Sequence, residues 1–230
     1  ARQNMFFSSK GKLVYHAASV GIVMDWENRS QEFFRGHNDD ITCLDMHVKS
    51  NLVATGQVVT LAGDKKPHIL LWKSDDKKKV SSLQDFHQHA ILSLKFSPSG
   101  KFIATIGSDS DHMIAIYDVD KNKVISSKKG GKSKILGIQY NPWNEQQFVT
   151  IGVKSITFWE TTKGGQLASS KRGVFGSVAP SQTITSAAWL SKEKLATGTY
   201  GGDIYIWKDR TVIERLKKAH EGPVYGLLRT

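Results

Sequence analysis

Short apolar stretches that contain an aromatic residue at or near their end recur along this chain at a nearly constant distance. They are GIVMDW, ILLW, IAIYD, ITFWE and IYIW, with the aromatic residues Trp26, Trp72, Tyr117, Trp159 and Trp207. The spacings between consecutive aromatic residues are 46, 45, 42 and 48 residues. A period of roughly 40–45 residues is typical of four-stranded β-propeller blades. Since one blade cannot bury both of its faces alone, the repeats predict an array of blades around one core.

Within each repeat, alternating apolar and polar residues predict short strands joined by tight turns. In the second repeat, ITCLDMH (41–47) alternates as a half-buried strand does, and LVATG (52–56) follows a turn. In the third, Ser97-Pro98-Ser99-Gly100 predicts a turn, because Pro presets φ and Gly permits a positive φ. The predicted fold is therefore an all-β, WD40-type β-propeller of four-stranded antiparallel blades. The predicted blades are residues 1–35, 36–84, 85–128, 129–170 and 171–218, with the start of another at 219–230.

The strand count leaves two arrangements open. Residues 1–35 supply only three predicted strands, and PVYGLL (223–228) reads as the first strand of another blade. That strand either completes the first blade and closes a five-bladed ring, or begins a further blade of a larger propeller. The start at Ala1 without Met, and the end after one strand, favour the larger propeller. Residues 164–181, rich in Gly, Ser and Lys, are interpreted as a fourth strand followed by a protruding loop.

Composition adds limits on location and chemistry. The lone Cys43 excludes an internal disulfide framework, and no apolar run approaches the roughly 20 residues that span a bilayer. We therefore expect a soluble intracellular protein without a membrane partner. Cys43 and His47 form an isolated pair without a second Cys, so no zinc site is expected. No other cofactor is predicted: GGKS (130–133) lacks the glycine of a phosphate-binding loop, because Ser126 stands five positions before Gly131.

His37 and His220 stand in the Gly-His and Ala-His positions that precede the first strand of a blade. WD40 repeats use such a His to bond an Asp in a tight turn and, through a hydroxyl, the aromatic residue of the third strand. In the third repeat, His87 or His89 takes this position. Because these sets recur blade by blade, whereas an active site would occur once, they predict a structural role and no enzymatic activity. The predicted structural residues are His37, Trp72, Tyr117, Trp159, Asp203, Trp207 and His220.

The charge of the chain points to an acidic partner. Lys and Arg number 32 against 21 Asp and Glu, a net charge of +11. Such an excess favours nucleic acid, an anionic membrane surface or an acidic protein such as tubulin. The lysines are dispersed among turns, and no aromatic residues are interleaved with them to stack on bases, which disfavours nucleic acid.

Many of the basic residues fall in two kinds of loop, which the order of strands in a blade places on the same rim. One kind joins the fourth strand of a blade to the first strand of the next, and the other joins the second strand of a blade to its third. We refer to these as the basic loop residues: Lys65, Lys66, Lys128, Lys129, Lys132, Lys134, Lys171, Arg172, Lys217 and Lys218. The opposite rim receives Lys77, Lys78, Lys79, Lys121 and Lys123. Acidic residues on the first rim, including Asp39, Asp40, Asp64, Asp109, Asp111 and Glu221, reduce its net field. As a group, the basic loop residues are the candidate contacts for an acidic partner.

Some longer stretches are more specific than the repeat pattern. They are FFRGHNDDI (33–41), LVATGQV (52–58), KRGVFG (171–176) and GDIYIWK (202–208). Together, and in this order, they resemble the first propeller of the echinoderm microtubule-associated protein-like family. The resemblance extends from about Asn4 to the last residues. LVYHAASVGIV (13–23) also resembles the segment that follows the short hydrophobic HELP motif of that family.

Members of that family are microtubule-associated proteins built from tandem propellers, without enzymatic activity. The resemblance therefore implies tubulin binding through a basic, non-catalytic surface and a place in the cytoplasm on the cytoskeleton, cilia or flagella included. This chain departs from the family pattern at the inserted residues Val59–Asp64, and it contains neither the HELP motif nor a second propeller. The alternative function is a general protein–protein interaction scaffold of a ciliary or cytoskeletal complex, without direct tubulin contact.

Overall fold

The strands of this protein are arranged in five separate sheets. A computed structural model describes residues 4–59 and 66–229. Its twenty strands form five four-stranded sheets in which neighbouring strands are antiparallel and follow one another along the chain. One 3-10 turn, Val48–Ser50, is the helical element of the described residues. The predicted all-β, WD40-type fold of four-stranded blades is confirmed. The blades belong to two compact units, Ala1–Lys129 and Gly130–Thr230.

The first unit contains three blades. The first blade consists of β1 (Met5–Phe7), β2 (Leu13–Ala17), β3 (Val20–Asp25) and β4 (Ser30–Phe34). The second consists of β5 (Ile41–His47), β6 (Leu52–Gln57), β7 (Ile69–Lys73) and β8 (Lys79–Leu83). The third consists of β9 (Ile91–Phe96), β10 (Phe102–Gly107), β11 (Met113–Asp118) and β12 (Lys123–Lys129). Gly100, in the turn between β9 and β10, has a φ of 76°, as the sequence predicts for that turn.

The second unit contains two blades. One consists of β13 (Ile135–Asn141), β14 (Asn144–Gly152), β15 (Ser155–Thr161) and β16 (Leu167–Arg172). The other consists of β17 (Ile184–Trp189), β18 (Lys194–Thr199), β19 (Ile204–Lys208) and β20 (Thr211–Leu216). The second strands of these blades, β14 and β18, each contain a run of five buried residues, which fits their place between two other strands.

The first blade differs from its prediction in two respects. It has four strands and not three, because Met5–Phe7 pairs with β2 through Phe6 and Val14. In addition, Trp26 does not close the third strand as an anchor: it lies in the turn after β3 and is 63 % exposed. Val23 takes the anchor position instead, because it pairs with Val14 as Trp72 pairs with Val53 in the second blade. A smaller residue suffices there, since Trp72 of the second blade packs against Val14, Val23 and Phe34 in one apolar cluster.

Each unit has its own apolar core between neighbouring blades. In the first unit, Ile91 and Leu94 of β9 pack with Ile69 and Leu71 of β7. A buried ion pair accompanies this packing: Lys95 Nζ of β9 lies 2.6 Å from Asp45 Oδ1 of β5. The Asp45 side chain is 5 % exposed, and it also accepts a hydrogen bond from the backbone of Phe96 at 2.7 Å. The ion pair is thus fully hydrogen-bonded on its acidic side, which such burial requires.

In the second unit, the segment after β16 is fixed to the last blade at residues that include Val174 and Phe175. Phe175 lies edge-on to Trp207, with ring centroids 5.2 Å apart, and edge-on to Tyr205 at 6.1 Å. Val174 forms a parallel bridge with Thr211 at the start of β20. The predicted fourth strand in this region is confirmed as β16. Of the predicted loop behind it, Phe175 and Ala179 pack into the core of the last blade, whereas residues 176–178, 180 and 181 are exposed.

A threonine hydroxyl links the first strand of a blade to the segment that follows the blade. In the first unit, Thr42 Oγ1, in the second position of β5, donates to the carbonyl of Ile91 at 2.5 Å. In the second unit, Thr185 Oγ1, in the second position of β17, donates to the carbonyl of Val224 at 2.6 Å. Residues 223–228 are not part of a sheet in the structure. The Val224 carbonyl nevertheless accepts a hydrogen bond from a threonine, as the Ile91 carbonyl does. The Val224 backbone N–H also donates to Thr199 O at 3.0 Å.

Candidate interaction surface

The histidine of the second blade is bound entirely within the blade. His37 is 9 % exposed, and its Nε2 lies 2.7 Å from Thr55 Oγ1 while its Nδ1 lies 2.6 Å from Gln57 Oε1. Trp72 Nε1 donates to the same Thr55 hydroxyl at 3.1 Å. Gln57 thus stands where a WD40 repeat usually has an Asp. Burial lowers the pKa of His37 to about 4, so the ring is neutral at pH 7.

The third blade has the same arrangement with one substitution. His87, and not His89, takes the predicted position: it is 2 % exposed, and its Nε2 lies 2.7 Å from Thr105 Oγ1. Tyr117 replaces the tryptophan and is buried. Burial lowers the pKa of His87 to about 4, although the nearby Asp109 acts in the opposite direction.

The last two blades keep the bond between tryptophan and threonine without a histidine. Trp159 Nε1 donates to Thr150 Oγ1 at 2.9 Å, and Trp207 Nε1 donates to Thr197 Oγ1 at 2.8 Å. A threonine in the second strand, which the sequence analysis did not single out, is therefore the common element of four blades. It was detectable, because ATGQ, ATIG, VTIG and ATGT place it one residue before a glycine or two residues before one.

Asp203 is buried between side chains of its own blade. Its carboxylate accepts hydrogen bonds from Gln182 Nε2 and Arg215 Nε, each at 2.9 Å, and from the backbone N–H of Lys218, also at 2.9 Å. Burial alone would raise the pKa of Asp203, but these hydrogen bonds outweigh it, and the pKa lies below its usual value. His220 is exposed and its Nδ1 accepts from Gly222 N at 3.3 Å, so it is not the partner of Asp203.

These hydrogen bonds occupy the hydroxyl and imidazole groups that a nucleophilic or acid–base reaction would require. The Thr55 hydroxyl contacts both His37 and Trp72, and the Thr150 and Thr197 hydroxyls accept from indoles. Burial raises the pKa of the Cys43 thiol to about 12, and its Sγ lies 3.2 Å from the carbonyl of Ile91. Within residues 4–59 and 66–229, no three His, Cys, Asp or Glu side chains are grouped so that they could hold a metal ion. The described residues contain no helix long and apolar enough to cross a membrane.

The basic loop residues face solvent wherever the structure describes them. Lys65 and residues 60–64 of the insertion lie outside the described residues, whereas Val59 is described and donates to His89 O at 2.6 Å. All nine others are exposed. One of them is neutralised, because Lys129 Nζ lies 2.7 Å from Asp111 Oδ2. The other eight side chains have no ion-pair partner among the described residues, which leaves their charges available to a partner.

The structure groups these residues by unit. Lys66, Lys128 and Lys129 belong to the first unit, and Lys132, Lys134, Lys171, Arg172, Lys217 and Lys218 to the second. Within the second unit, Arg172 lies near the turn between β19 and β20, because its carbonyl accepts from Arg210 Nη1 at 3.4 Å. Lys217 and Lys218 follow the opposite end of β20. Arg172 thus lies near the first end of β20, whereas Lys217 and Lys218 follow its last residue.

Comparison with known proteins gives a consistent family. Residues 30–230 match the family model described as echinoderm microtubule-associated protein first beta-propeller. The 77 kDa echinoderm microtubule-associated protein of Strongylocentrotus purpuratus is 32% identical over 98% of this chain and 34% of its own length. Echinoderm microtubule-associated protein-like 2 of Homo sapiens is 29% identical over 98% of this chain and 36% of its own length. The chain thus spans about a third of the length of these relatives.

Solved structures share the fold at low sequence identity. The beta-propeller domain of Myceliophteria thermophila Cps50 (Swd1) has a TM-score of 0.66 at 19% identity, covering 83% of this chain and 59% of that domain. The structure of U3-55K has a TM-score of 0.72 at 13% identity, covering 94% of this chain and 64% of that protein.

Proposed function

Because this chain belongs to the echinoderm microtubule-associated protein family, within its first β-propeller, we propose that it is a microtubule-associated WD40 propeller without catalytic activity. It binds tubulin, or a protein linked to microtubules, through the basic loop residues. The observation that carries the proposal is the family match over residues 30–230. In keeping with this function, the protein acts in the cytoplasm on the cytoskeleton, including that of cilia or flagella.

The exposed charges support a basic contact surface. Eight of the nine described basic loop residues are exposed and have no acidic partner among the described residues. Ammonium and guanidinium groups that are already solvated attract an acidic surface over about 10 Å, the screening length at moderate ionic strength. The contacts are then formed at little cost, because no internal ion pair has to be broken first.

The buried polar groups support a binding function over a catalytic one. A nucleophilic hydroxyl requires a base that is free to take its proton, and a histidine base requires a pKa near the working pH. His37 and His87 have pKa values of about 4, and Thr55 already contacts the indole of Trp72. These side chains hold the strands of the blade together instead.

The direct test is co-sedimentation with polymerised tubulin. A variant in which Lys132, Lys134, Lys217 and Lys218 are replaced by Gln removes four exposed charges of the second unit. We expect it to bind about tenfold more weakly or worse, since each exposed ion pair contributes up to about 1 kcal/mol. The control is a variant with Gln at Lys49, Lys78, Lys123 and Lys192, which are exposed in turns, or at the first residue of a strand, at the other edge of their sheets. It loses the same net charge and should bind within about twofold of the parent.

Two results would contradict the proposal. The folded parent protein fails to sediment with microtubules even at low ionic strength, or the two variants lose affinity equally. If the parent does not sediment, affinity capture of partners whose binding is insensitive to salt would support the general scaffold function instead.

A further inference from the structure

The second blade carries a polar pocket, and one of the residues that line it, Lys66, is also a basic loop residue. It has a volume of about 640 Å³ and opens between the segment after β4 and strands β7 and β8. Gly36, Leu70 and His68 line it, and the ring of His68 stacks on that of His37 at 5.5 Å. A concave site that combines apolar surface with a few convergent polar groups has the form of a binding site.

The pocket has an excess of hydrogen-bond donors. Lys66 and Lys79 line it, and neither has an ion-pair partner among residues 4–59 and 66–229. The positive charge of Lys79 lies close enough to His37 to contribute to the lowering of the pKa of that ring. The sequence analysis assigns Lys79 to the opposite rim from Lys66. Lys79 begins β8, where it pairs with Trp72, and it nevertheless lines the pocket.

The neutral groups add to this excess. Asn38 Oδ1 already accepts from Gln57 Nε2 at 2.8 Å, so the group that Asn38 can still offer is its NH2. Ser82 and Gln84 also line the pocket and carry further donors. Donors that converge without matching acceptors favour a ligand that is rich in acceptor oxygens.

The residues that line the pocket include one carboxylate against two ammonium groups. Asp85 lines it together with Lys66 and Lys79, so the charged side chains of its lining are positive in sum. Asp39 does not line the pocket, and its Oδ1 accepts from the backbone N–H of Asp40 at 2.7 Å.

An open strand edge lies beside the pocket. β8 is the outermost strand of its sheet and pairs on one side only, with β7. Its first two residues, Lys79 and Val80, are exposed. An extended peptide can add to such an edge through backbone hydrogen bonds and place a side chain in the neighbouring pocket.

We propose that this pocket binds a carboxylate or phosphate group carried by an extended acidic segment of a partner protein that lies along β8. Lys66 and Lys79 bind the anion, and the Asn38 NH2 and the Ser82 hydroxyl orient it. This inference goes beyond the proposed function, because it holds for an acidic segment of any protein and does not require tubulin.

The test measures binding of short fluorescent peptides by polarisation at constant ionic strength. The probes are a glutamate-rich peptide, the same peptide with phosphoserine at its central position, and the same peptide with glutamine in place of glutamate. Lys79→Gln should weaken binding of the acidic peptides about tenfold, because it removes a hydrogen bond between two charged groups. Asn38→Asp should abolish it, since the new carboxylate repels the anion but still accepts from Gln57.

Lys78→Gln is the matched control for Lys79→Gln. Lys78 is the preceding residue, its side chain is 81% exposed, and it pairs with Asp76 outside the pocket. We expect it to change binding less than about twofold. Equal melting temperatures of the three variants would show that the fold is unchanged. Tighter binding of the glutamate or of the phosphoserine peptide identifies the preferred anion, and either result supports the pocket.

The inference is overturned if the parent protein binds the glutamine peptide as tightly as the acidic ones, or if Lys78→Gln weakens binding as much as Lys79→Gln. Co-sedimentation with microtubules, measured on the same samples, reports on the proposed function separately. Loss of peptide binding by Lys79→Gln with unchanged co-sedimentation supports a pocket distinct from the microtubule contact.

Discussion

Individual threonines stabilise the blades, because their hydroxyls form hydrogen bonds with buried indole or imidazole side chains. Thr150 is a clear case, since its hydroxyl accepts from Trp159 Nε1 and no histidine takes part. Thr150→Val keeps the shape of the side chain but leaves the buried indole N–H without an acceptor. We expect the free energy of unfolding to fall by about 1–3 kcal/mol, measured by urea denaturation.

Thr157→Val is the control for that substitution. Thr157 lies in the neighbouring strand β15 and is half-buried. The same exchange should change the free energy of unfolding by about 0.5 kcal/mol or less. Equal losses in the two variants would mean that the hydroxyl of Thr150 does not stabilise the blade through the indole.

The buried histidines make stability depend on pH. The pKa of His37 and of His87 is about 4 in the folded protein, against an ordinary value of 6.5. Between these values the unfolded chain binds more protons than the folded one, so stability falls as pH is lowered from 6.5 and levels off below 4. Each group contributes about 3 kcal/mol to this loss.

Two substitutions check the pH dependence. His87→Gln removes one titrating group, so the difference in unfolding free energy between pH 7 and pH 4.5 should shrink. His89→Gln removes an exposed histidine of the same loop and should leave that difference unchanged. If the two variants show the same pH dependence, His87 is not neutral in the folded protein.

For single residues, the sequence predicted which side chains are buried better than it predicted the groups to which they bond. The anchor residues Trp72, Tyr117, Trp159 and Trp207 are all buried, as their place in the repeat requires. Trp26 was misassigned because an aromatic residue after an apolar run looks the same in sequence whether it ends the strand or follows it. The sequence did not predict that Gln57 and Gln182 bond buried side chains, because nothing in a single sequence distinguishes a glutamine that replaces a charged partner from any other glutamine.

Among the elements, the segment after β16 shows how a polar stretch is held by one aromatic residue. Phe175 packs against both Trp207 and Tyr205. Phe175→Ala should lower the free energy of unfolding by about 2 kcal/mol, because it opens a partly buried aromatic contact. Val178→Ala, in the same segment at a side chain that is 44% exposed, should cost about 0.5 kcal/mol or less. Thermal unfolding of the two variants distinguishes them, and equal melting temperatures would contradict the packing role.

The strands that the sequence predicted well are the ones with several alternating residues. The alternating pattern ITCLDMH predicts β5 over its whole length, although the structure buries five of its seven residues and leaves the other two half-buried. β1 escaped prediction because three residues, Met5–Phe7, are too few to show a period. The packing of Phe175 escaped it for a different reason: only two apolar residues lie between Gly173 and Gly176, and the aromatic contacts of Phe175 lie 30 and 32 residues further along the chain.

For the whole molecule, the charge excess predicts how binding responds to salt. The net charge is +11, and the unpaired basic loop residues are exposed. Their attraction for an acidic partner should weaken as the screening length shortens from about 14 Å to about 6 Å between about 50 and about 300 mM salt. Co-sedimentation with microtubules at a series of salt concentrations measures this. An affinity that does not change across the series would mean that the charges take no part in binding.

The fold and the family of the whole chain were accessible from sequence, but the pocket on the second blade was not. The repeat period is a property of the chain, so it can be counted without a structure. The pocket depends on Lys79 extending across its own blade towards His68, which is 11 residues earlier in the chain. Assignment of lysines to rims by strand order ignores the length of the side chain and the twist of the sheet.

The hydroxyls of Thr42 and Thr185 also bear on how such a protein grows in evolution. Each threonine belongs to its own blade, whereas the carbonyl that accepts its hydrogen bond is part of the backbone of the next segment and is present whatever the side chain there. A duplicated blade would therefore bring its own threonine, which could bond to any extended segment that follows it. Repeats of this kind can then multiply without a simultaneous change in their neighbours.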